Sequence, residues 1–338
     1  MFTMHGKFNT FISIMEFTKN KLLSVFLLCL LAAFGPGAAF SQSSAAPLTI
    51  YAIKGPSGVG MIRLFENPPQ VRGFQVKVEA LAQADLMAAK FIAREAKIGI
   101  LPPNLAAKIA SSGRDIQIAA IVGTGMLSLL SSDPALTRIE DLKGRTVEVA
   151  GQGATPDYVL RRILSSKGLK PGVDVRLNYT LAYPEIAQSL IAGRVQTAVL
   201  PEPFATMALS GRPGLRAVGD IQAEWVRAGG SANYPMTALV VDAGFARDYP
   251  DAIRVILADY RASTEWVRAH PAEAGELVEK YELGLRAPVV KAAIPKSNYV
   301  FIPAREARPA IEALFRAFLE YAPESIGGAL PGDAFYYR

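Results

Sequence analysis

The sequence is poor in the residues on which most catalytic chemistry is built. Among its 338 residues are one cysteine and two histidines, too few for a metal cluster built on those ligands or for a redox pair. Cys29 and His5 both stand in the first 41 residues, so His270 is the single histidine beyond them. His270 precedes Pro271 at a helix boundary in a charged tail, far in sequence from the glycine turns, and a Ser-His-Asp arrangement would have to use it. Acid/base work by carboxylates alone is left open. There is no dense Lys/Arg block interleaved with aromatics. Without residues 1–41 the 36 basic and 30 acidic residues become 33 and 29, a mild excess that is no nucleic-acid footprint. Neither GxGxxG nor the Gly-Lys-Ser/Thr of a P-loop occurs, which argues against a nucleotide site. No internal repeat or low-complexity tract is present, and no metal or cofactor is expected.

The N-terminus carries a different kind of information. Lys19 and Lys21 precede an almost wholly apolar run over 22–34, too short for a comfortable membrane span. Ala39, Phe40 and Ser41 then fit a small-x-small cleavage pattern. Residues 1–41 therefore read as a signal peptide cleaved after Ser41, with a periplasmic or otherwise extracytoplasmic destination. A lipid anchor is not expected, because Leu27 and Leu28 precede Cys29 where a lipoprotein signal needs a small residue.

From Leu48 onward short apolar strands alternate with helical periodicity, the pattern of an α/β fold. Strands are expected over 48–53, 74–81, 97–101, 117–122, 147–149, 174–179 and 196–200. Between them the spacing predicts helices over 59–65, 84–93, 105–111, 157–166 and 183–192. Further helices over 249–269, 272–281 and 305–322 follow. Ligands of open α/β sheets sit at the carboxyl ends of strands, so the turns there are the candidate site. They are Lys54 to Gly58, Pro102 to Asn104, Gly123 to Gly125, Gly151 to Thr155, and Pro201 to Phe204. Thr155 before Pro156 is a helix-start signal, and the unpaired amides of such a start beside glycines can hold an anion or polar group. Each turn could equally be an ordinary βα connection. Glu202, between two prolines, is either a carboxylate held towards a ligand or one favouring the positive end of its own helix. Trp225 lies in a poorly patterned segment and either lines a cleft mouth or packs inside.

In sequence order ILPPNLAAK (100–108), IEDLKGRTVEV (139–149), GQGATPD (151–157), LIAGR (190–194) and AVLPEPFATMAL (198–209) resemble an extracytoplasmic solute-binding protein of ABC importers. The branch it is similar to is the nitrate, sulfonate, taurine and hydroxymethylpyrimidine type. The resemblance implies a two-lobe periplasmic-binding-protein-like fold (type II), its lobes joined by two extended crossing segments. Lobe 1 would comprise residues 48–125 and 240–338, the latter ending in a helical C-terminus, and lobe 2 residues 126–239. The family's ligand contacts carry over to Ser57, Gly58, Pro103, Asn104, Thr124, Gly153, Ala154, Thr155, Glu202 and Tyr234. The implied activity is capture of a small polar, nitrogen-containing or aromatic solute by hinge closure. The implied partners are that solute and an ABC permease with its ATPase, contacted peripherally at the membrane by a monomer. Two rivals are a pyrimidine-synthase-like enzyme on the same fold and a solute-sensing effector. The first lacks here the cysteine-rich segment and active-site histidine of its class, and the second lacks a visible DNA-binding or membrane module.

Overall fold

Strand β1 (Ala46–Ile53) is the spine of the first sheet. It runs parallel to β2 (Phe74–Leu81) over its whole length, Ala46 opposite Phe74 and Ile53 opposite Leu81, and parallel to β3 (Ile98–Leu101) on its other side. This computed structural model describes residues 45–338; the expected signal peptide lies outside the described residues. β10 (Pro235–Asp242) then enters antiparallel to β3, β4 (Ile116–Thr124) antiparallel to β10, and β11 (Tyr299–Pro303) closes the edge. The order is β11-β4-β10-β3-β1-β2. Helices cover both faces, and the inner strands are buried accordingly: IGIL of β3 throughout, PMTALVV of β10 up to Asp242. Ile50, Ile98, Ile100, Leu239 and Val241 pack with Ile253, Ile256 and Tyr260.

The second sheet is built only from the middle of the chain. Its order is β7 (Arg176–Asn178), β6 (Thr146–Val149), β8 (Thr197–Pro201), β5 (Leu127–Ser131), β9 (Arg216–Asp220). The polypeptide therefore leaves the first sheet after Thr124 and re-enters it at Pro235. The two passages are stitched together. The Gly125 amide donates to Tyr234 O at 3.0 Å and to Asn233 Oδ1 at 2.9 Å, Asn233 Nδ2 donates to Thr124 Oγ1 at 2.9 Å, and Asn298 Nδ2 donates to Gly125 O. A Cβ on Gly125 would collide with Gln222 Oε1 and sit 2.9 Å from the Tyr234 ring, so the crossing point admits glycine alone.

Local expectations fail in three places. The helix expected over 59–65 is two short ones, α1 (Pro56–Gly60) and α2 (Ile62–Glu66), interrupted at Met61. PSGVG is a weak helix former, and Gly60 lies under Tyr299, within 3.3 Å of where its Cβ would be. The segment after Phe204 hides three elements: α7 (Phe204–Gly211), β9 and α8 (Ile221–Arg227). The helical C-terminal third also contains β11, whose brevity and terminal proline conceal it in the pattern. The remaining helices are α3 (Ala84–Ile92), α4 (Pro103–Ser111), α5 (Thr155–Ser166), α6 (Tyr183–Ile191), α9 (Ala243–Asp248), α10 (Pro250–Ala269), α11 (Pro271–Lys280), α12 (Ala287–Ala293) and α13 (Ala304–Leu319). No helix of the described residues is long and apolar enough to cross a membrane.

Candidate functional site

The carboxyl ends of β1, β2 and β3 in one sheet and of β6 and β7 in the other face a common cavity of about 150 Å³. From the first lobe come Ile53 at the end of β1 with Lys54 and Ser57 beyond it, Gln83 and Asp85 after β2, and Leu101 at the end of β3 with Pro102 and Leu105 beyond it, with Met236 and Thr237 from β10. The second lobe contributes Ala150 to Ala154 with Pro156, and Ala182 to Pro184. The first residues of α3 and α6, Ala84 and Tyr183, and the N-cap residues of α4 and α5, Pro102 and Ala154, lie in this lining, so four helix N-termini converge there with their unpaired amides and positive dipole ends. Three of them carry proline in the first turn, where the missing N–H costs nothing.

The charged lining side chains are one cation, Lys54, and one carboxylate, Asp85. Lys54 Nζ donates to Glu282 O at 3.2 Å. Neutral polar groups come from Ser57, Gln83, Gln152, Tyr183 and Thr237, and the rest of the wall is aliphatic or proline. Tyr183 stacks on Phe204, ring centroids 5.9 Å apart, and burial pushes its phenol above the ordinary value, keeping it a donor.

Of the ten residues expected at the site, Ser57, Gly153 and Ala154 line this cavity. Ser57 ties its own turn, its hydroxyl donating to Ile53 O at 2.9 Å and accepting from Ile53 N at 3.0 Å. The amide of Gly153, expected to be free for a ligand, donates to Asp157 Oδ2 at 2.9 Å. Asp157 is buried and also accepts from Arg161 Nε and the Tyr179 hydroxyl, each at 2.7 Å. It thereby clamps the glycine turn, in which Gly151 and Gly153 hold φ of +74° and +77°.

The other seven are not in the lining, each for a physical reason. Gly58 is a packing glycine, its missing Cβ 3.0 Å from Leu283 Cδ1 and 3.1 Å from Ile53 O. Pro103 is the buried first residue of α4. Asn104 spans the lobes instead: its Nδ2 donates to Gly153 O at 2.8 Å and its Oδ1 accepts from Thr155 Oγ1 at 3.0 Å. That bond also occupies the Thr155 hydroxyl. Thr124 is engaged by Asn233 at the crossing. Glu202 accepts the Thr206 amide at 3.0 Å, so of its two readings the helix-start one holds; burial pushes its carboxyl above the ordinary range. Tyr234 is fully buried with its ring edge on Trp225, 5.6 Å between centroids, and Trp225 is likewise core rather than cleft mouth.

Sequence reasoning missed Gln83, Asp85, Tyr183, Met236 and Thr237. The signal existed for three of them. The strand-end rule, applied to LAQADL after β2 and LAYPEI after β7, points to Gln83, Asp85 and Tyr183. Met236 and Thr237 reach the cavity from an antiparallel strand's start, which the rule does not cover.

The chain's likenesses agree with this architecture. Among solved structures, an ABC transporter protein from Parabacteroides distasonis is 26% identical, with a TM-score of 0.71 over 87% of this chain and 99% of that one. The periplasmic aliphatic sulphonate binding protein of Escherichia coli is 17% identical, with a TM-score of 0.67 over 87% and 93%. The periplasmic nitrate-binding protein of Synechocystis is 14% identical, with a TM-score of 0.59 over 73% and 69%. They share a fold of two α/β lobes, the type II periplasmic-binding-protein class. No curated protein matches the sequence. The model of the NMT1-like family matches residues 80–280, and on that match the chain belongs to the NMT1-like family.

Proposed function

We propose that the chain is the solute-binding component of an ABC-type importer, which closes its two lobes over a small solute and delivers it to a membrane permease driven by its ATPase. The observation that carries the reading is a cavity walled by both lobes and ringed by helix N-termini. Names of the structural neighbours describe binding proteins, and nothing in them favours the enzyme alternative. Residues 1–41 act as the export signal, the protein works as an extracytoplasmic monomer, and the lobes comprise 48–125 with 235–338, and 126–234, the expected boundary at 239/240 giving way to Pro235, where β10 rejoins the first sheet.

A cavity of about 150 Å³ has room for one ring-sized molecule. Its aliphatic walls suit an apolar body, while Lys54, Asp85 and the helix starts suit polar or zwitterionic groups at the solute's edge. With Glu202 engaged by its own helix, Asp85 is the carboxylate that would receive an N–H of a nitrogen-containing solute. Ser57, Gly153 and Ala154 remain contacts from the original set. Mass spectrometry of small molecules released from natively purified protein tests this. A retained ring-sized solute whose binding weakens in Asp85→Asn and Tyr183→Phe is expected. Retention unaffected by either substitution, or turnover of the solute, would overturn the assignment.

A further inference from the structure

A second surface, sharing no lining residue with the interlobe cavity, lies along the outer edge of the first sheet. Two adjoining hollows of about 430 and 340 Å³ run between α10 and β11, with Arg261, Phe301 and Pro303 common to both. Leu257, Phe301 and Tyr337 supply an apolar floor. Arg261, Arg268, Arg305 and Arg338 border it, all exposed. Their neighbours Arg254 and Arg308 are paired with Asp251 and with Glu312 and Asp333. Among the described residues these four have no ion-pair or side-chain hydrogen-bond partner; Arg261 only rests over the Phe301 ring, 4.9 Å from its centroid. Glu265 and Glu306 are the only carboxylate side chains in the lining, and with the α-carboxylate of Arg338 they make three negative groups against four guanidinium groups, so the groove keeps a positive excess. Arg261 and Arg268 are two helical turns apart on one face, about 10 Å along the axis. β11 stands at the end of the strand order, so one of its edges has no strand partner within the sheet.

We propose that this groove is a docking surface for an acidic, extended polypeptide segment of a partner protein. The segment lies alongside β11, its carboxylates on the guanidinium groups and an aromatic or aliphatic side chain on the Phe301 and Tyr337 floor. A polypeptide fits better than an anionic lipid surface, because headgroups would engage the guanidinium groups and leave both the concave apolar floor and the strand edge without a partner. The surface is independent of what the cavity binds.

The probe is poly(Glu,Tyr), an acidic aromatic copolymer, titrated into the full chain and followed by fluorescence anisotropy at low and at physiological salt. Binding that weakens with salt and falls at least about tenfold in Arg261→Glu/Arg305→Glu is expected, the loss typical of inverting two charge contacts. Arg268→Gln/Arg338→Gln, which disturbs no internal contact, should lose affinity in the same direction. Hydrogen exchange should show protection at 299–303 on binding. Undiminished affinity in both variants, protection confined elsewhere, no binding at low salt, or binding of phosphatidylglycerol vesicles in place of the copolymer would each overturn the proposal.

Discussion

Replacing Asn104 with alanine tests whether the lobes are held shut by the protein's own hydrogen bonds as well as by solute. Asn104 is 1% exposed and joins the start of α4 to the start of α5 through two bonds, to Gly153 O and from Thr155 Oγ1. A net hydrogen bond contributes about 1 kcal/mol. In the closed form Asn104→Ala also leaves a buried carbonyl and hydroxyl without partners, whereas in an open form both reach water. The closed form should therefore lose about 2 kcal/mol relative to the open one. Because solute affinity includes closure, that becomes a fall of roughly 30-fold, without any change in a cavity-lining side chain. Thr155→Val removes one of the two bonds and should cost about half as much, roughly fivefold. Calorimetry with the retained solute measures affinity, and small-angle scattering measures how compact the liganded protein is. An Asn104→Ala protein with unchanged affinity and unchanged compaction would refute the latch. So would a Thr155→Val loss as large as that of Asn104→Ala.

Three further outcomes follow from the geometry. Glu202→Gln keeps an oxygen for the Thr206 amide while removing a charge whose burial raises the carboxyl's pKa. A raised folded pKa means the wild type loses stability as pH climbs through it, so the variant should melt higher at pH 8 and the gap should vanish below about pH 4; solute affinity should not move. Asp157→Ala strips Gly153, Arg161 and Tyr179 of their shared acceptor and should cost about 3 kcal/mol. That is a drop in Tm of about 6–12 °C by calorimetry, with cavity affinity lost as the glycine turn loosens. Asp141 accepts the Thr137 amide and hydroxyl and the Arg138 amide, which hold its carboxyl at about 2. A depressed pKa gives stability that is complete above the ordinary carboxylate value and lost as pH falls towards 2. Asp141→Asn should therefore melt below wild type at pH 7, and the two should converge near pH 2.

The α/β class, most parallel strands and their following helices were legible in the sequence, because strand and helix periodicities and proline or glycine punctuation are local properties. IGIL needs burial on both faces wherever it goes, and TPDYVLRRIL starts a helix whatever surrounds it. The order of the turns likewise pointed to strand ends as the place to look for a site. Side-chain roles were another matter. Whether Asn104 meets a solute or the opposite lobe depends on residues 49 and 51 positions away in the chain. The Gly153 amide is taken by a carboxylate one helical turn on, and Glu202 turns back to its own helix because a buried acid finds its nearest free amide at Thr206. Hydrogen-bond competition between buried groups is settled only when distant segments pack. Sequence thus determined most of the elements and the strand ends where a cavity opens; the tertiary structure decided the rest, above all which polar groups remain free to face it.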